Sequence, residues 1–257
     1  MKNSNRTLVI GVVLVLVSIG LFLYPSISKQ LYDDSYNDIS KRFDTTTSQI
    51  QEGSFYEELE SGNVDSEGYL VDESGTRTSQ SPVVYKQDID RLFKDSVAYN
   101  NELSEHQYIE NGFTGAAVIL SEYGIFDSVY GYVSAPAINL NLPIYLGASD
   151  ENMRYGATHL MNTSLPIGGN NTNAVLAGHT NYVGKTLFDR LPSLSQGDIV
   201  TVTNYFGTIE YRVIEQKDII STETNDIYIS RNKDLLTLLT CANGGKARYI
   251  VICERVN

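Results

Sequence analysis

The chain has 257 residues, 42% of them hydrophobic and 18 of them tyrosine, with a formal net charge of −12. That length and apolar content exclude a disordered chain and suit one folded domain with an appendage. The acidic balance excludes nucleic acid and anionic lipid headgroups as partners, because both reward clustered Lys and Arg.

The first element is an apolar run, Thr7 to Tyr24 (TLVIGVVLVLVSIGLFLY), uncharged throughout and just long enough to cross a bilayer as a helix. Lys2 and Arg6 precede it, so residues 1–6 are expected in the cytoplasm, 7–24 in the membrane and the rest outside the cell. A cleaved signal peptide is the competing reading, but YPSISKQ offers only a poor small-residue cleavage site.

Residues 25–84 read as an acidic extracellular stalk. Between Asp33 and Glu73 twelve acidic residues stand against Lys41 and Arg42, among Ser, Thr, Gly and Asn and with few aliphatic residues to bury. An acidic recruiting patch is the functional alternative to this solvated spacer.

Residues 85–128 are expected to hold a helix and a candidate lid, Ser104 to Tyr123. In KQDIDRLFKDSVAYNNEL, from Lys86 to Leu103, the residues Ile89, Leu92, Phe93 and Val97 fall on one helical face. Phe93 and Tyr99 read as packing residues.

From residue 129 to 257 the pattern changes to short runs rich in Val, Ile, Thr and Tyr: VYGYVSA, INLNLPIYL, NAVLAGH, DIVTVTN, GTIEYRVIE, LLTLLTC and RYIVICERV. Seven or eight such strands, broken by Gly, Pro, Asn and Asp, predict a mainly β fold closed into a barrel. SDENMRYGATHL and KTLFDRL have helical character, the first with Ser149 as its N-cap. Without a long αβ alternation, a doubly wound sheet is not expected.

Alternation in LLTLLTC puts Leu235, Thr237, Leu239 and Cys241 on one face, with the thiol at the carboxyl end of an apolar strand. The turn ANGGK follows, and Arg248 opens the next strand. A free thiol has a pKa of about 8.5, so a catalytic cysteine needs a base or cation nearby. Among the three histidines, His106 falls near the polar end of the predicted helix and reads as a surface residue. His159 sits beside a helical stretch and reads as a structural, hydrogen-bonded histidine. His179 ends the apolar run AVLAG at a strand-to-loop edge, where a ring can face a cleft, and is the best base candidate.

Together, AGHTN, TLLTC and the following Arg248 resemble the catalytic signature of the sortase family, Thr-Leu-x-Thr-Cys with an upstream His and a downstream Arg. The resemblance extends from Val129 to Val256. INLNLPIYLGAS, GATHLMNTSLPIGG, LFDRL and the Gly-Asp before IVTVTN are similar to the pilus-type, or class C, sortases, as are YPSISKQ and VAYNNEL upstream. It implies an eight-stranded barrel and a cysteine transpeptidase that cuts an LPXTG-like sorting signal between Thr and Gly, with no cofactor. It further implies Cys241 as nucleophile, His179 as the acid that protonates the leaving amine, and Arg248 as oxyanion stabiliser. The expected partners are LPXTG-bearing pilins or surface proteins and an amine acceptor, either a pilin lysine or a peptidoglycan precursor. Pilus assembly is the first expectation and wall anchoring the second. Thr180, Asn181 and Thr240 are candidate substrate contacts.

Arg255 is the fallback arginine. Cys253, with Tyr249 and Val251 on an apolar face, reads as a buried small hydrophobe that is not paired with Cys241. LPIGG, Leu165 to Gly169, reads as a turn. Two rivals come from other classes: a zinc site of His159, His179 and Cys241, and a membrane-tethered scaffold that keeps the barrel without the chemistry.

Overall fold

The computed structural model describes residues 2–107, 118–182, 184–220, 222 and 225–256, with side chains from residue 8 onward. Three helices precede the sheet: α1 (Lys2–Ser48), α2 (Phe55–Glu60) and α3 (Lys86–His106). Eight strands follow: β1 (Gly131–Ala135), β2 (Leu140–Leu146), β3 (Ala157–His159), β4 (Thr172–Ala177), β5 (Ile199–Asn204), β6 (Gly207–Ile220), β7 (Asp234–Ala242) and β8 (Ala247–Arg255). They close into a barrel in the order β1-β2-β3-β4-β7-β8-β6-β5.

The β2–β3 and β4–β7 pairs are parallel and the others antiparallel. Alternation survives where one face looks outward, as in β5, where Val200, Val202 and Asn204 are buried and their neighbours are not. In β4 it vanishes, and TNAVLA is buried at every position, because a strand covered on both faces reads as a continuous run. The interior holds Val133, Leu142, Ile144, Leu176, Leu236, Leu238, Val251 and Cys253 in one cluster.

The spacer expected over residues 25–84 is instead folded. The apolar stretch of α1 is long enough to cross a membrane, and its side chains from Leu8 to Leu23 are exposed. The helix then continues to Ser48 and docks along the barrel. Ser28, Tyr36, Ser40 and Phe43 are buried at intervals of eight, four and three residues, one face of a helix. Phe43 packs against Tyr205 and Tyr132 at 4.8 and 6.0 Å between ring centroids. Asn37 Oδ1 accepts from Asn141 Nδ2 at 2.8 Å. Two aromatic rings and two small serines make this stripe, so an aliphatic count does not register it. Further on, Phe55, Val64 and Tyr85 form a small core of their own.

Helix α3 spans the predicted segment, but its buried face is Ile89, Leu92, Ser96, Asn100 and Leu103. Phe93 is 45% exposed, with its ring edge-on to Phe206 at 5.0 Å. Asn100 is buried because it pairs with the backbone of Leu165, donating to its carbonyl and accepting from its N–H. Residues 108–117, the centre of the expected lid, lie outside the described residues.

The two segments given helical character are not helices. Ser149 caps only a single 3-10 turn, Asn152–Arg154, by accepting from Asn152 N at 3.1 Å, and ATH pairs as β3. KTLFDRL is an irregular loop, because Asp189 accepts from the N–H groups of Asn181 and Leu187 and so competes with a helical turn. Leu165 to Gly169 is a turn, with Gly168 and Gly169 at φ +69° and +122°.

Candidate active site

Two adjacent strands and the loop that leaves a third carry the candidate triad. In the parallel pair β4–β7, Ala177 lies opposite Leu239, and Gly178 N–H donates to Leu239 O at 3.0 Å. His179 is the next residue, two beyond the last residue of β4, on the loop that leaves this strand. In the antiparallel pair β7–β8, Cys241 lies opposite Arg248. Cys241 on β7 therefore has Arg248 beside it on β8 and, on its other side, the end of β4 from which His179 leads off, with neighbouring strands about 4.8 Å apart.

Parity sets which way each residue faces. Leu235 and Leu239 pack with Ile219, Ile250 and Ile252 in a second apolar cluster, on the face opposite the barrel interior, and Cys241 continues that alternation. Cys241 is partly exposed. Cys241 also contributes to the wall of an open cleft of about 650 Å³ with Thr180, Asn181, Phe188, Asp218, Asn243 and Tyr249. The turn from β7 to β8 bends through Asn243, Gly244 and Gly245, all at positive φ, which a β-carbon disfavours at the two glycines.

His179 is half-buried, and its ring stacks on Tyr182, with 5.5 Å between centroids and 27° between planes. Its carbonyl accepts from Phe188 N at 2.9 Å, so the following loop folds back beneath it. Thr240 is buried and its hydroxyl donates to Gly178 O at 2.7 Å. That bond ties β7 to the end of β4 beside the histidine, and Thr240 also contributes to the wall of the cleft. Thr180 and Asn181 do line the cleft. Arg248 is half-buried, and its Nη1 donates to the carbonyls of Gly245 and Ala247 at 2.9 and 3.0 Å.

The other candidates fall elsewhere. Arg255 lies at the far end of β8, bound to Asp234 at 3.2 Å, so it is no substitute for Arg248. Cys253 is opposite Leu236 inside the barrel and wholly buried, and burial pushes its thiol up to about 12. Both cysteines are free. His159, on β3, is opposite Leu176, three residues down β4 from His179 and about 10 Å along the strand. Its Nε2 is within 3.1 Å of the carbonyls of Thr163 and Ser164, and burial holds its pKa at about 4. The ring is therefore neutral and structural, and the proposed zinc ligands do not converge; among the described residues no His, Cys, Asp and Glu cluster could hold a metal ion. His106 caps the end of α3 with Nδ1 2.9 Å from Glu102 O.

Sequence reasoning missed Tyr182, Lys185 and Asp189, which shape the loop after His179. Their one signal was NYVGKTLFDR itself, a polar and glycine-bearing stretch directly after a candidate base.

The Sortase domain model matches residues 133–256. A Streptococcus agalactiae sortase C1 solved in complex with MTSET is 31% identical, with TM-score 0.60, covering 67% of this chain and 92% of that one. A Clostridium perfringens sortase C solved with the C-terminal cell wall sorting motif is 31% identical, with TM-score 0.57, covering 68% and 92%. Sortase D of Bacillus subtilis is 28% identical over 131 residues, 49% of this chain and 63% of its own length. Sortase A of Listeria monocytogenes is 32% identical over 116 residues, 45% and 50%. The chain thus spans about half to two thirds of these curated relatives.

With its closed eight-stranded barrel, its Sortase domain match and its likeness to the solved sortase C structures, the chain belongs to the sortase family. Within that family it is most like the class C, pilus-type members.

Proposed function

We propose that this chain is a membrane-anchored, extracellular cysteine transpeptidase that joins LPXTG-like sorting signals to an amine. The observation that supports the reading is the strand order β4-β7-β8, in which Cys241 lies opposite Arg248 and next to the strand end from which His179 follows. In the first half-reaction the Cys241 sulfur forms a bond to the threonine carbonyl carbon. The carbonyl electrons move to oxygen, where the Arg248 guanidinium donates hydrogen bonds to the developing charge. His179 gives a proton to the departing glycine nitrogen as the C–N bond breaks, leaving a thioester. In the second half the acceptor amine adds to the thioester and gives a proton to His179, and the sulfur departs as thiolate. Splitting the acyl transfer in two lowers each barrier.

The likeness to class C structures supports a pilin lysine as the acceptor. The likeness to a C. perfringens sortase C solved with the C-terminal cell wall sorting motif supports the donor. Residues 7–24 serve as the anchor, residues 1–6 lie in the cytoplasm, and the barrel, 129–257, carries the chemistry. The deciding measurement is mass spectrometry of full-length protein incubated with a panel of sorting peptides and amines. An adduct of the peptide up to its threonine on Cys241, discharged by the amine and absent in Cys241→Ala, is expected. Cleavage persisting in Cys241→Ala would overturn the reading.

A further inference from the structure

Behind His179 lies a buried cation. Lys185 is 5% exposed, and among the described residues no carboxylate forms an ion pair with it. Its ammonium donates instead to the carbonyl of Arg154 and lies over three aromatic faces: Tyr32 at 4.2 Å, Tyr155 at 4.8 Å and Tyr182 at 5.4 Å. Burying an ammonium is costly unless something compensates, and the negative faces of aromatic rings attract a desolvated cation more strongly than an exposed one. Three separate segments supply these rings: α1, the turn before β3 and the loop after β4.

Two of the rings point to a coupling. Tyr182 stacks on the His179 imidazole. Tyr32 belongs to α1, where Ser28, one turn earlier, donates its buried hydroxyl to Gly184 O at 2.9 Å. The apolar run of α1 ends at Tyr24, so Ser28 and Tyr32 follow it by about 6 and 12 Å along the helix. The helix leaving the proposed anchor therefore grips the loop that carries the ring beside the histidine.

We propose that the first two turns of α1 beyond its apolar run position His179, through Tyr32, Lys185 and Tyr182. Tyr32 and Tyr155 hold the ammonium, the ammonium holds Tyr182, and Tyr182 sets the plane of the imidazole. Tyr32, Lys185 and Tyr182 are positioning residues. A helix released from the barrel would leave the imidazole mis-set although none of its own contacts had been altered. The importance of that plane for turnover rests on the transpeptidase reading, whereas the mechanical coupling does not.

The test uses full-length protein in lipid nanodiscs, comparing Tyr32→Leu and Lys185→Met with Tyr32→Phe and Lys185→Arg. Three quantities are read: kcat and KM for sorting-peptide cleavage, the melting temperature, and the carbon-bound proton signals of the His179 ring by NMR. Tyr32→Leu and Lys185→Met are expected to move the ring signals and lower kcat about ten-fold at nearly unchanged KM and melting temperature, as a small misplacement of a catalytic group does. Tyr32→Phe and Lys185→Arg, which keep the aromatic face and the cation, are expected to restore both. Ring signals that stay put in Tyr32→Leu and Lys185→Met overturn the proposal, as does a loss of kcat that only follows a loss of melting temperature. If the unaltered protein shows no cleavage at all, the transpeptidase reading fails and the ring signals alone decide the coupling.

Discussion

Cys241 and Arg248 are direct cross-strand partners on β7 and β8, one residue pair short of the Ala242–Ala247 pair that closes onto the turn. The turn fixes their spacing, and any change that slips β8 by one residue carries the guanidinium to the other face of the sheet.

Replacing Arg248 by Lys keeps the charge but removes the planar fork of donors, so kcat should fall by about 100-fold, near the loss of one oxyanion donor. Arg255→Ala should leave turnover intact. It removes a partly exposed contact to Asp234 and should cost less than about 1 kcal/mol after solvent screening. Steady-state kinetics of both variants separate the two arginines, and equal losses would contradict the assignment.

The cysteines should differ sharply in reactivity. Cys241 is accessible, whereas Cys253 is enclosed in the barrel with its thiol raised to about 12. Iodoacetamide at pH 8 should therefore label one thiol in the native protein, at Cys241, and the second only in denaturant. Peptide mapping by mass spectrometry reads the site directly, and native labelling at Cys253 would show that the barrel opens.

Acid should weaken the fold through His159. Burial lowers its folded pKa to about 4 from an ordinary 6.5, so between those values the unfolded chain binds the proton and the folded one does not. Stability from this group is whole above pH 6.5 and is lost as pH falls toward 4, roughly 3 kcal/mol in all. Urea midpoints measured from pH 7 to pH 4 should drop steeply, and His159→Gln, which cannot take up the proton, should flatten that part of the curve.

Gly178 is packed against a ring. A β-carbon there would meet Phe188 at 2.8 Å, and Phe188 both lines the cleft and bonds to the carbonyl of His179. Gly178→Ala should cost about 1–3 kcal/mol of stability by overpacking and should also reduce turnover, because the ring must move. Chemical denaturation and peptide cleavage measured on one preparation would show both losses together.

Much of the barrel was legible because β-strands advertise themselves by period. Val200 and Val202 alternate with half-buried threonines, and the continuous run TNAVLA marks a strand covered on both sides. The docking of α1 was not legible. Asn37 and Phe43 lie among acidic residues, and their partners, Asn141 for the first and Tyr132 and Tyr205 for the second, are 104, 89 and 162 residues further on. KTLFDRL carries a helical pattern, yet one carboxylate, Asp189, turns it into a loop by accepting two backbone N–H groups.

For the site, local sequence was enough to nominate a thiol at a strand end, an imidazole at another and an arginine opening a third, since each nomination needs only a few neighbouring residues. Their convergence was a different matter. Cys241 and His179 are 62 positions apart in the chain, and only the parallel pairing of β4 with β7 brings their strand ends side by side. Strand pairing over such separations depends on the whole core closing at once, which no short window of sequence contains. The same holds for Lys185, an ordinary cation in the chain, which becomes the centre of three rings only when α1, the turn before β3 and the loop after β4 are folded against one another.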